Sequence, residues 1–333
     1  MIRIEASNIN YGGSFNLLKD ILNYCDTEGY QVEVYIKYNS IYEDLSKCCY
    51  SHIKLIKTTN LKTLIRYCRY TRSTLFFCSL PPFTKAAKSY VYFHSEYFAT
   101  RPLSNNSFLN LSGKIKKIIY YYWIKFNRKN VDNFICQTEH IKILLANTYS
   151  LEPLVKPFFS IEKPNGNVEI KYDFIYPAIN SINKNIPRLL SALYKLRKQK
   201  EFTCVLTIDL KDINIINQIS DINDEFPNTI INVGVLSHSC VFKYLSCSRC
   251  LVFPSLAESF GLPLIEALSL GLTVISADLP YSYNCVDTPI TFDPYNVDDM
   301  TSKLLQFLNG DYSQISQKSL VKDHKADIIS LLV

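Results

Sequence analysis

Residues 251–278, LVFPSLAESFGLPLIEALSLGLTVISAD, give the clearest indication of the fold in the second half of this chain. It begins with an apolar run, which predicts a buried strand that ends at Pro254. A loop follows, and Pro263 and Gly271 mark the expected start and end of a short helix. A second apolar run, residues 273–275, predicts the next buried strand. The order strand, loop, helix and strand is typical of a parallel α/β sheet.

Two glutamates lie on either side of the predicted helix start. Glu258 is in the loop, and Glu266 is one turn inside the helix. Backbone N–H groups at the start of a helix have no partner inside the helix and attract anions. The residues predicted to form this anion site are Ser259, Phe260, Gly261 and Leu262. Glu258 could bind sugar hydroxyls beside a bound diphosphate and Glu266 the hydroxyls of a ribose, so one loop could hold sugar, diphosphate and nucleoside together.

The same stretch resembles the E-x7-E segment of GT-B retaining glycosyltransferases of family 4. Residues 254–278, PSLAESFGLPLIEALSLGLTVISAD, follow the family pattern PS…E-x-F-G-L-P-x-x-E-A…G-x-P-V-I-x-S/A-D. One departure is Thr273, where the family usually has proline. Without this context the alternative is that Glu258 is a solvated loop acid and Glu266 a surface acid near the positive end of a helix dipole.

The resemblance implies a function in glycosyl transfer. Such an enzyme would move a sugar from a nucleotide-sugar donor to a hydroxyl of a glycan or lipid-linked acceptor, with no metal and no cofactor, and we expect a role in surface polysaccharide assembly. Glu258 would orient the sugar and Glu266 the ribose. Two alternatives remain open: a non-catalytic GT-B partner subunit, and a sugar-nucleotide epimerase of the same fold.

Composition and length indicate a folded two-domain protein of the cytoplasm. A chain of 333 residues exceeds what one core usually serves. Its 47% hydrophobic and 20% charged residues suit a globular protein, and neither a signal peptide nor an apolar run long enough to span a membrane is indicated. The 11 cysteines are an odd number and scattered, which favours packed thiols in a reducing compartment.

Strands and helices alternate through both halves, which predicts an α/β fold with parallel sheets. The predicted strands are residues 2–6, 31–38, 53–56, 74–79, 90–94, 133–136, 173–176, 203–208, 229–233, 251–253 and 273–275. Prolines and an Asn-Gly-Asn triplet between residues 151 and 167 indicate a linker. We therefore expect two Rossmann-like domains in a GT-B arrangement with an interdomain cleft. Residues 1–158 would bind the acceptor and residues 159–333 the nucleotide sugar.

Two features of the first half match the resemblance more loosely. Gly12 and Gly13 follow the first strand and precede the first helix, where glycines let the backbone approach a ligand. The family has a glycine pair there, near the donor diphosphate and the acceptor. His94 ends a predicted strand, and the family often has a histidine at this place, near the donor sugar. A simple turn and a structural histidine are the alternatives.

Lys184 is the predicted cation for the diphosphate. The segment from Tyr176 to Asn185 resembles the family element G-R-x-x-x-x-K-N, whose arginine and lysine neutralise the donor diphosphate. Here Ala178 and Ile179 occupy the glycine and arginine positions, so one of the two cations is missing. Because a departing diphosphate develops charge, a lost cation weakens stabilisation of the transition state unless another group replaces it.

A zinc site is not favoured. The candidate ligands are His238, Cys240, Cys247 and Cys250, and the last two form a C-x-x-C pair. The chain has no second C-x-x-C, and Cys250 begins an apolar strand, so these cysteines are expected to be packed thiols.

The first half is the basic half of the chain. Residues 1–160 contain 21 Lys and Arg against 11 Asp and Glu, a net charge of +10, whereas residues 161–333 contain 15 against 19, a net charge of −4. Residues 114–129, KIKKIIYYYWIKFNRK, combine six cations with five aromatic side chains. The composition suits a helix on the inner face of an anionic membrane, a buried structural helix, or a nucleic-acid surface. No nucleic-acid motif accompanies it, so no nucleic-acid partner is expected.

Overall fold

The computed structural model describes two compact units. It covers the chain except for residues 10–12, 70–71, 78–79, 86–87, 94, 103–110, 160–167, 179 and 259. Unit 1 comprises Met1–Ser160 together with Lys322–Val333, and unit 2 comprises Ile161–Val321. The α/β fold class expected from the sequence is confirmed, because each unit is built on a parallel sheet covered by helices.

In the described part of unit 1, seven parallel strands form a sheet in the order β3-β2-β1-β4-β5-β6-β7. The strands are β1 (Ile2–Glu5), β2 (Val32–Ile36), β3 (Ile53–Lys57), β4 (Thr74–Phe76), β5 (Ser89–Phe93), β6 (Asn133–Cys136) and β7 (Leu154–Val155). The helices between them are α1 (Gly13–Thr27), α2 (Asn39–Ser46), α3 (Asn60–Tyr67), α4 (Glu96–Ala99), α5 (Leu111–Asn127) and α6 (Glu139–Tyr149).

The sheet of unit 1 is covered on both faces. Side chains of successive strand residues point to opposite faces. Tyr92 and Ile135 accordingly belong to one apolar cluster, with α1, whereas their neighbours Phe93 and Phe134 belong to a second cluster. Ile124 of α5 packs in that second cluster. This double coverage agrees with the burial of nearly every residue in the central strands β4, β5 and β6.

In the described part of unit 2, six parallel strands form a sheet in the order β10-β9-β8-β11-β12-β13. The strands are β8 (Tyr172–Tyr176), β9 (Cys204–Leu206), β10 (Ile230–Asn232), β11 (Ser248–Phe253), β12 (Thr273–Ala277) and β13 (Ile290–Phe292). The helices are α7 (Ile186–Arg197), α8 (Ile213–Glu225), α9 (His238–Ser246), α10 (Leu262–Ser269), α11 (Pro280–Cys285) and α12 (Val297–Asn309). The chain reverses direction across the sheet between β8 and β11, and ligands of open α/β sheets bind at the carboxyl ends of strands at such a reversal.

The end of the chain returns to unit 1. Helix α13 (Lys325–Ser330) places Ile328 and Ile329 in the first apolar cluster of that unit. Nζ of Lys325 donates to Oδ2 of Asp20 on α1 at 3.1 Å and to the carbonyl oxygen of Phe159 at 2.6 Å. The division differs from a single cut between residues 158 and 159, because a cut along the sequence cannot represent a segment that packs on the earlier unit.

No helix among the described residues is both long enough and apolar enough to cross a membrane.

Candidate functional site

The segment from β11 into α10 has the predicted order of strand, loop, helix and strand. Gly261 precedes the helix with a φ of +78°, in the left-handed region, and Pro263 lies in the first turn. A Cβ at position 261 would lie 3.0 Å from Cδ1 of Leu264. Both the backbone conformation and the close approach favour glycine here. The first turn of α10 therefore opens directly from the loop that carries Glu258.

Hydrogen bonds connect this loop to the loop after β8, the neighbouring strand. The backbone N–H of Leu256 donates to the carbonyl of Asn183 at 2.7 Å, and Nδ2 of Asn183 donates to the carbonyl of Ala257 at 3.2 Å. The Tyr281 hydroxyl on α11 donates to the carbonyl of Ser255 at 2.7 Å. The carboxyl ends of β8 and β11 thus carry one connected pair of loops.

Lys184 and Glu258 form an ion pair in which Nζ of the lysine donates to Oε1 of the glutamate. Both side chains are mostly buried, and Nζ also lies 5.8 Å from the centre of the Phe253 ring. The pair brings together two residues that the sequence assigned to different parts of a donor molecule. An anion that binds here would meet a cation whose charge is already compensated.

The backbone around Lys184 is held rigidly. The residue ends a short 3₁₀ helix, Ile182–Lys184, and its carbonyl accepts from the Tyr176 hydroxyl at 3.1 Å. Asn185 follows with a φ of +57° and is buried, and its Nδ2 donates to the carbonyl of Pro294 at 2.8 Å. The buried amide compensates for the left-handed backbone, which asparagine tolerates better than most residues. The position of the lysine is therefore set by its neighbours on both sides.

The groups around Glu258 are neutral hydrogen-bond donors. Burial, reinforced by the charge of Glu258, raises the pKa of Cys285 to about 12, and the Cys285 thiol donates to the carbonyl of Phe260. Burial also raises the pKa of Tyr176 and of Tyr281 above that of an ordinary phenol, and Glu258 adds to both rises. These side chains stay protonated at neutral pH, which leaves Lys184 as the cation bonded to Glu258.

Glu266 lies on α10 and is 3% exposed. Nε2 of His238, the first residue of α9, is 2.7 Å from Oε1 of Glu266, a distance at which an Nε2–H donates to the carboxylate. The spacing of His238 in the sequence suggested only a zinc ligand and gave no sign of this contact. Cys250 is fully buried in β11, and burial raises the pKa of its thiol well above the ordinary value. Across the residues that the structure describes, no three His, Cys, Asp or Glu side chains are grouped as metal ligands would be.

Of the other predicted site residues, some are described by the structure and some are not. Gly13 is the first residue of α1, which follows β1, and a Cβ on it would meet nothing within 4 Å. Phe260 is buried and Leu262 begins α10. Gly12, His94 and Ser259 lie outside the described residues, as does Ile179 at the position of the missing arginine.

The region that contains Lys184, Glu258 and Glu266 is similar to known proteins. Residues 174–310 match the family described as "Glycosyl transferases group 1". A segment of 67 residues is 36% identical to O-antigen chain mannosyltransferase B of Escherichia coli, and it spans 20% of this chain and 18% of that protein.

Solved structures extend the likeness to both units. HepE of Anabaena, crystallised with UDP and glucose, superposes with a TM-score of 0.68 at 10% identity, over 99% of this chain and 95% of HepE. A glycosyltransferase of Rickettsia africae superposes with a TM-score of 0.66 at 13% identity, over 99% of this chain and 92% of that one. At such identities the likeness concerns the fold. Residues 174–310 thus match the group 1 glycosyltransferases, and the chain has the GT-B fold of the solved glycosyltransferases that it resembles.

Proposed function

We propose that the chain transfers a glycosyl group from a nucleotide-sugar donor to a hydroxyl of a glycan or lipid-linked acceptor. The observation that carries the proposal is the Lys184–Glu258 ion pair beside the start of α10. It combines a cation, a carboxylate and the first backbone N–H groups of a helix at the carboxyl ends of adjacent strands. This is the set of groups that a sugar diphosphate requires.

The proposed roles follow from the chemistry of each group. Lys184 and the backbone N–H groups near Gly261 bind the diphosphate, Glu258 orients the sugar, and Glu266 binds the ribose. The bond from the anomeric carbon to the phosphate oxygen breaks, and a bond from that carbon to the acceptor oxygen forms. A phosphate oxygen takes the acceptor proton. Reaction on the face that the diphosphate leaves retains the anomeric configuration, and no metal takes part.

A diphosphate must compete with Glu258 for Lys184. The ion pair with Glu258 compensates the charge of Lys184, whereas a bound diphosphate would offer more negative charge to the same cation. The transfer of Lys184 from the carboxylate to the diphosphate would free Glu258 to accept hydrogen bonds from sugar hydroxyls. One exchange of partners thus prepares both groups for the donor.

The similar proteins support the donor class and the biological role. HepE has been solved with UDP, with UDP and glucose, and with UDP-glucose. The E. coli relative is named for an O-antigen chain. We propose a nucleoside diphosphate sugar as donor and the assembly of a surface polysaccharide as the setting.

Helix α5 has an exposed surface that suits contact with a membrane. Its exposed apolar side chains follow the spacing i, i+4, i+7, i+8, i+11 and i+15, which at 100° per residue covers a stripe about 100° wide. They are Leu111, Ile115, Ile118, Ile119, Tyr122 and Phe126. Exposed lysines 114 and 125 border one side of the stripe and Lys116 the other. An apolar stripe between lysines fits an anionic lipid surface, so we propose peripheral contact at the inner face of a membrane that bears the acceptor.

Some of residues 114–129 are buried in unit 1 and so cannot contact a membrane. Lys117 is 1% exposed, and its Nζ donates to the Thr100 hydroxyl at 2.7 Å. Trp123 donates through Nε1 to the carbonyl of Pro81 at 2.8 Å and packs against Phe83. The membrane and structural interpretations of this stretch therefore apply to opposite faces of one helix.

The test is incubation of the purified chain with UDP-, GDP- and ADP-sugars, a polyprenyl-linked saccharide and a soluble glycan. We expect released nucleotide and a glycosylated product whose anomeric configuration, read by NMR, matches that of the donor, with or without EDTA. Nucleotide binding without product would favour a partner subunit, and an epimerised donor would favour an epimerase. Loss of activity in EDTA would contradict the metal-independent reaction.

A further inference from the structure

The contact between His238 and Glu266 has a consequence for nucleotide recognition. Glu266 is almost completely buried, and a carboxylate in such a place needs hydrogen-bonded partners to offset lost hydration. His238 supplies one of them at 2.7 Å from Oε1. The carboxylate is thus held on one oxygen by a side chain from another helix.

His238 is itself held in place. It begins α9, whose start is capped by Ser237, because the Ser237 hydroxyl accepts from the backbone N–H of Cys240. The imidazole lies 6.4 Å from the Phe242 ring one turn further along, and α9 packs against α10. The helix start fixes the backbone of His238, and the 2.7 Å contact of its ring with Oε1 restricts the rotamers of the Glu266 carboxylate.

We propose that His238 is a positioning residue that orients Glu266 toward the 2′- and 3′-hydroxyls of the nucleotide ribose. This inference rests on the proposed function, in which Glu266 binds the ribose. The imidazole engages one carboxylate oxygen and fixes the direction of the whole carboxylate. The pair thereby makes the site selective for ribonucleotides over 2′-deoxyribonucleotides, a property that neither residue provides alone.

The imidazole is suited to this task by its size and its position. It reaches from the start of one helix to the first turns of another, and it carries a ring N–H that points at a carboxylate oxygen. A glutamine at position 238 could present a side-chain N–H to the same oxygen, although from a more flexible side chain. An alanine could not donate this hydrogen bond, and the Glu266 carboxylate would then no longer be held in one orientation.

The test is calorimetric titration of the full chain with UDP, GDP and ADP and with the 2′-deoxy form of whichever binds. In wild-type protein the ribonucleotide should bind more tightly than the deoxynucleotide. His238→Ala should weaken ribonucleotide binding about tenfold, in line with loss of a hydrogen bond to a charged group, and weaken deoxynucleotide binding less, because the deoxynucleotide offers Glu266 only its 3′-hydroxyl. His238→Gln should restore part of the discrimination. In a Glu266→Ala background, His238→Ala should have no further effect.

Controls separate this role from a structural one. Lys243→Ala changes an exposed residue on the same helix and should leave both affinities unchanged. Equal losses for ribo- and deoxynucleotide in His238→Ala, with no recovery in His238→Gln, would overturn the positioning role. So would unchanged binding in a His238→Ala protein that melts like wild type. If wild-type protein binds none of the three nucleotides, the proposed function itself fails, which is a different result.

Discussion

Lys184 and Glu258 are bonded to each other although 74 residues separate them in the chain. They follow β8 and β11, two adjacent parallel strands, so the topology of the sheet is what brings them together. Each side chain is the counter-ion of the other in this structure. Any substitution of one therefore changes the charge state that the other presents to a ligand, and the two have to be tested with that coupling in mind.

Lys184→Ala should lower the turnover number by about 10²-fold or more, because charge that develops on the leaving diphosphate loses its side-chain cation. Lys184→Arg keeps the charge and serves as the matched control. The measurement is the rate of nucleotide release with the best donor. A Lys184→Ala rate within about threefold of wild type would show that another group stabilises the leaving group.

Glu258→Gln should depress turnover much more than nucleotide binding. The amide cannot hold the sugar hydroxyls as the carboxylate does. The loss of the carboxylate charge also removes the counter-ion of Lys184, so that the full charge of the lysine is offered to the diphosphate. We therefore expect UDP, GDP or ADP to bind at least as tightly as to wild type, while the turnover number falls. Calorimetry and steady-state kinetics on the same preparation check both parts. Weaker nucleotide binding with unchanged turnover would reverse the proposed roles of the two residues.

Glu266→Ala should weaken nucleotide binding by about 1–3 kcal/mol through lost hydrogen bonds to the ribose. The measurement is calorimetry with the same nucleotide, supported by a thermal melt to exclude loss of fold. Ser269→Ala, one turn further along α10, is a suitable comparison because its hydroxyl bonds only to a backbone carbonyl in this structure. Unchanged affinity in Glu266→Ala would remove the ribose assignment.

Replacement of Lys114, Lys116 and Lys125 by glutamine should reduce sedimentation with anionic phosphatidylglycerol vesicles. Each lysine near such a surface contributes about 1 kcal/mol, and salt screens the attraction. Activity on a soluble acceptor should persist. Phe126→Ser, which changes a side chain that is 75% exposed, should weaken vesicle binding without altering its salt dependence.

The matched control replaces the exposed unit 2 lysines 211, 243 and 318 by glutamine, which leaves the α5 stripe intact. Vesicle binding that falls equally in both triple variants would indicate a general charge effect. A wild-type protein that ignores anionic vesicles at low salt would exclude the membrane contact.

Lys325→Met should lower the free energy of unfolding of unit 1 by about 3–5 kcal/mol, since it removes the Lys325 cation from the buried Asp20. Nucleotide binding by unit 2 should be retained. Denaturant unfolding followed by circular dichroism measures the loss. Asp20→Leu combined with Lys325→Met should cost less than the sum of the single changes. Additive losses would show that the two side chains do not act as a pair.

The sequence predicted most strands well, because short stretches rich in apolar and β-branched residues alternate with helical patterns along the chain. The strands predicted at residues 2–6, 53–56 and 133–136 end within one residue of the observed strands β1, β3 and β6. The two-residue strand β7 lies inside the predicted linker, where flanking prolines conceal it. The three-residue strand β13 was not predicted, because so short an apolar segment has no periodicity to detect.

The candidate site was predicted only as far as local motifs reach. Glu258, Lys184 and the start of α10 lie in recognisable segments, and the structure places them together. The contact of His238 with Glu266 depends on how α9 packs against α10, which no spacing in the sequence encodes. Lysine normally indicates an exposed position, yet Lys117 is buried with its Nζ bonded to the Thr100 hydroxyl. The sequence contains no pattern that predicts this contact.

The return of residues 322–333 to unit 1 affects how the chain can fold as it is synthesised. The N-terminal sheet emerges from the ribosome well before α13, yet the apolar face that receives Ile328 and Ile329 stays uncovered until all of unit 2 has been translated. Contacts between residues so far apart form late and carry a large loop-closure cost. The nascent N-terminal unit must therefore wait with an exposed apolar surface, which makes it a natural client for a chaperone during translation.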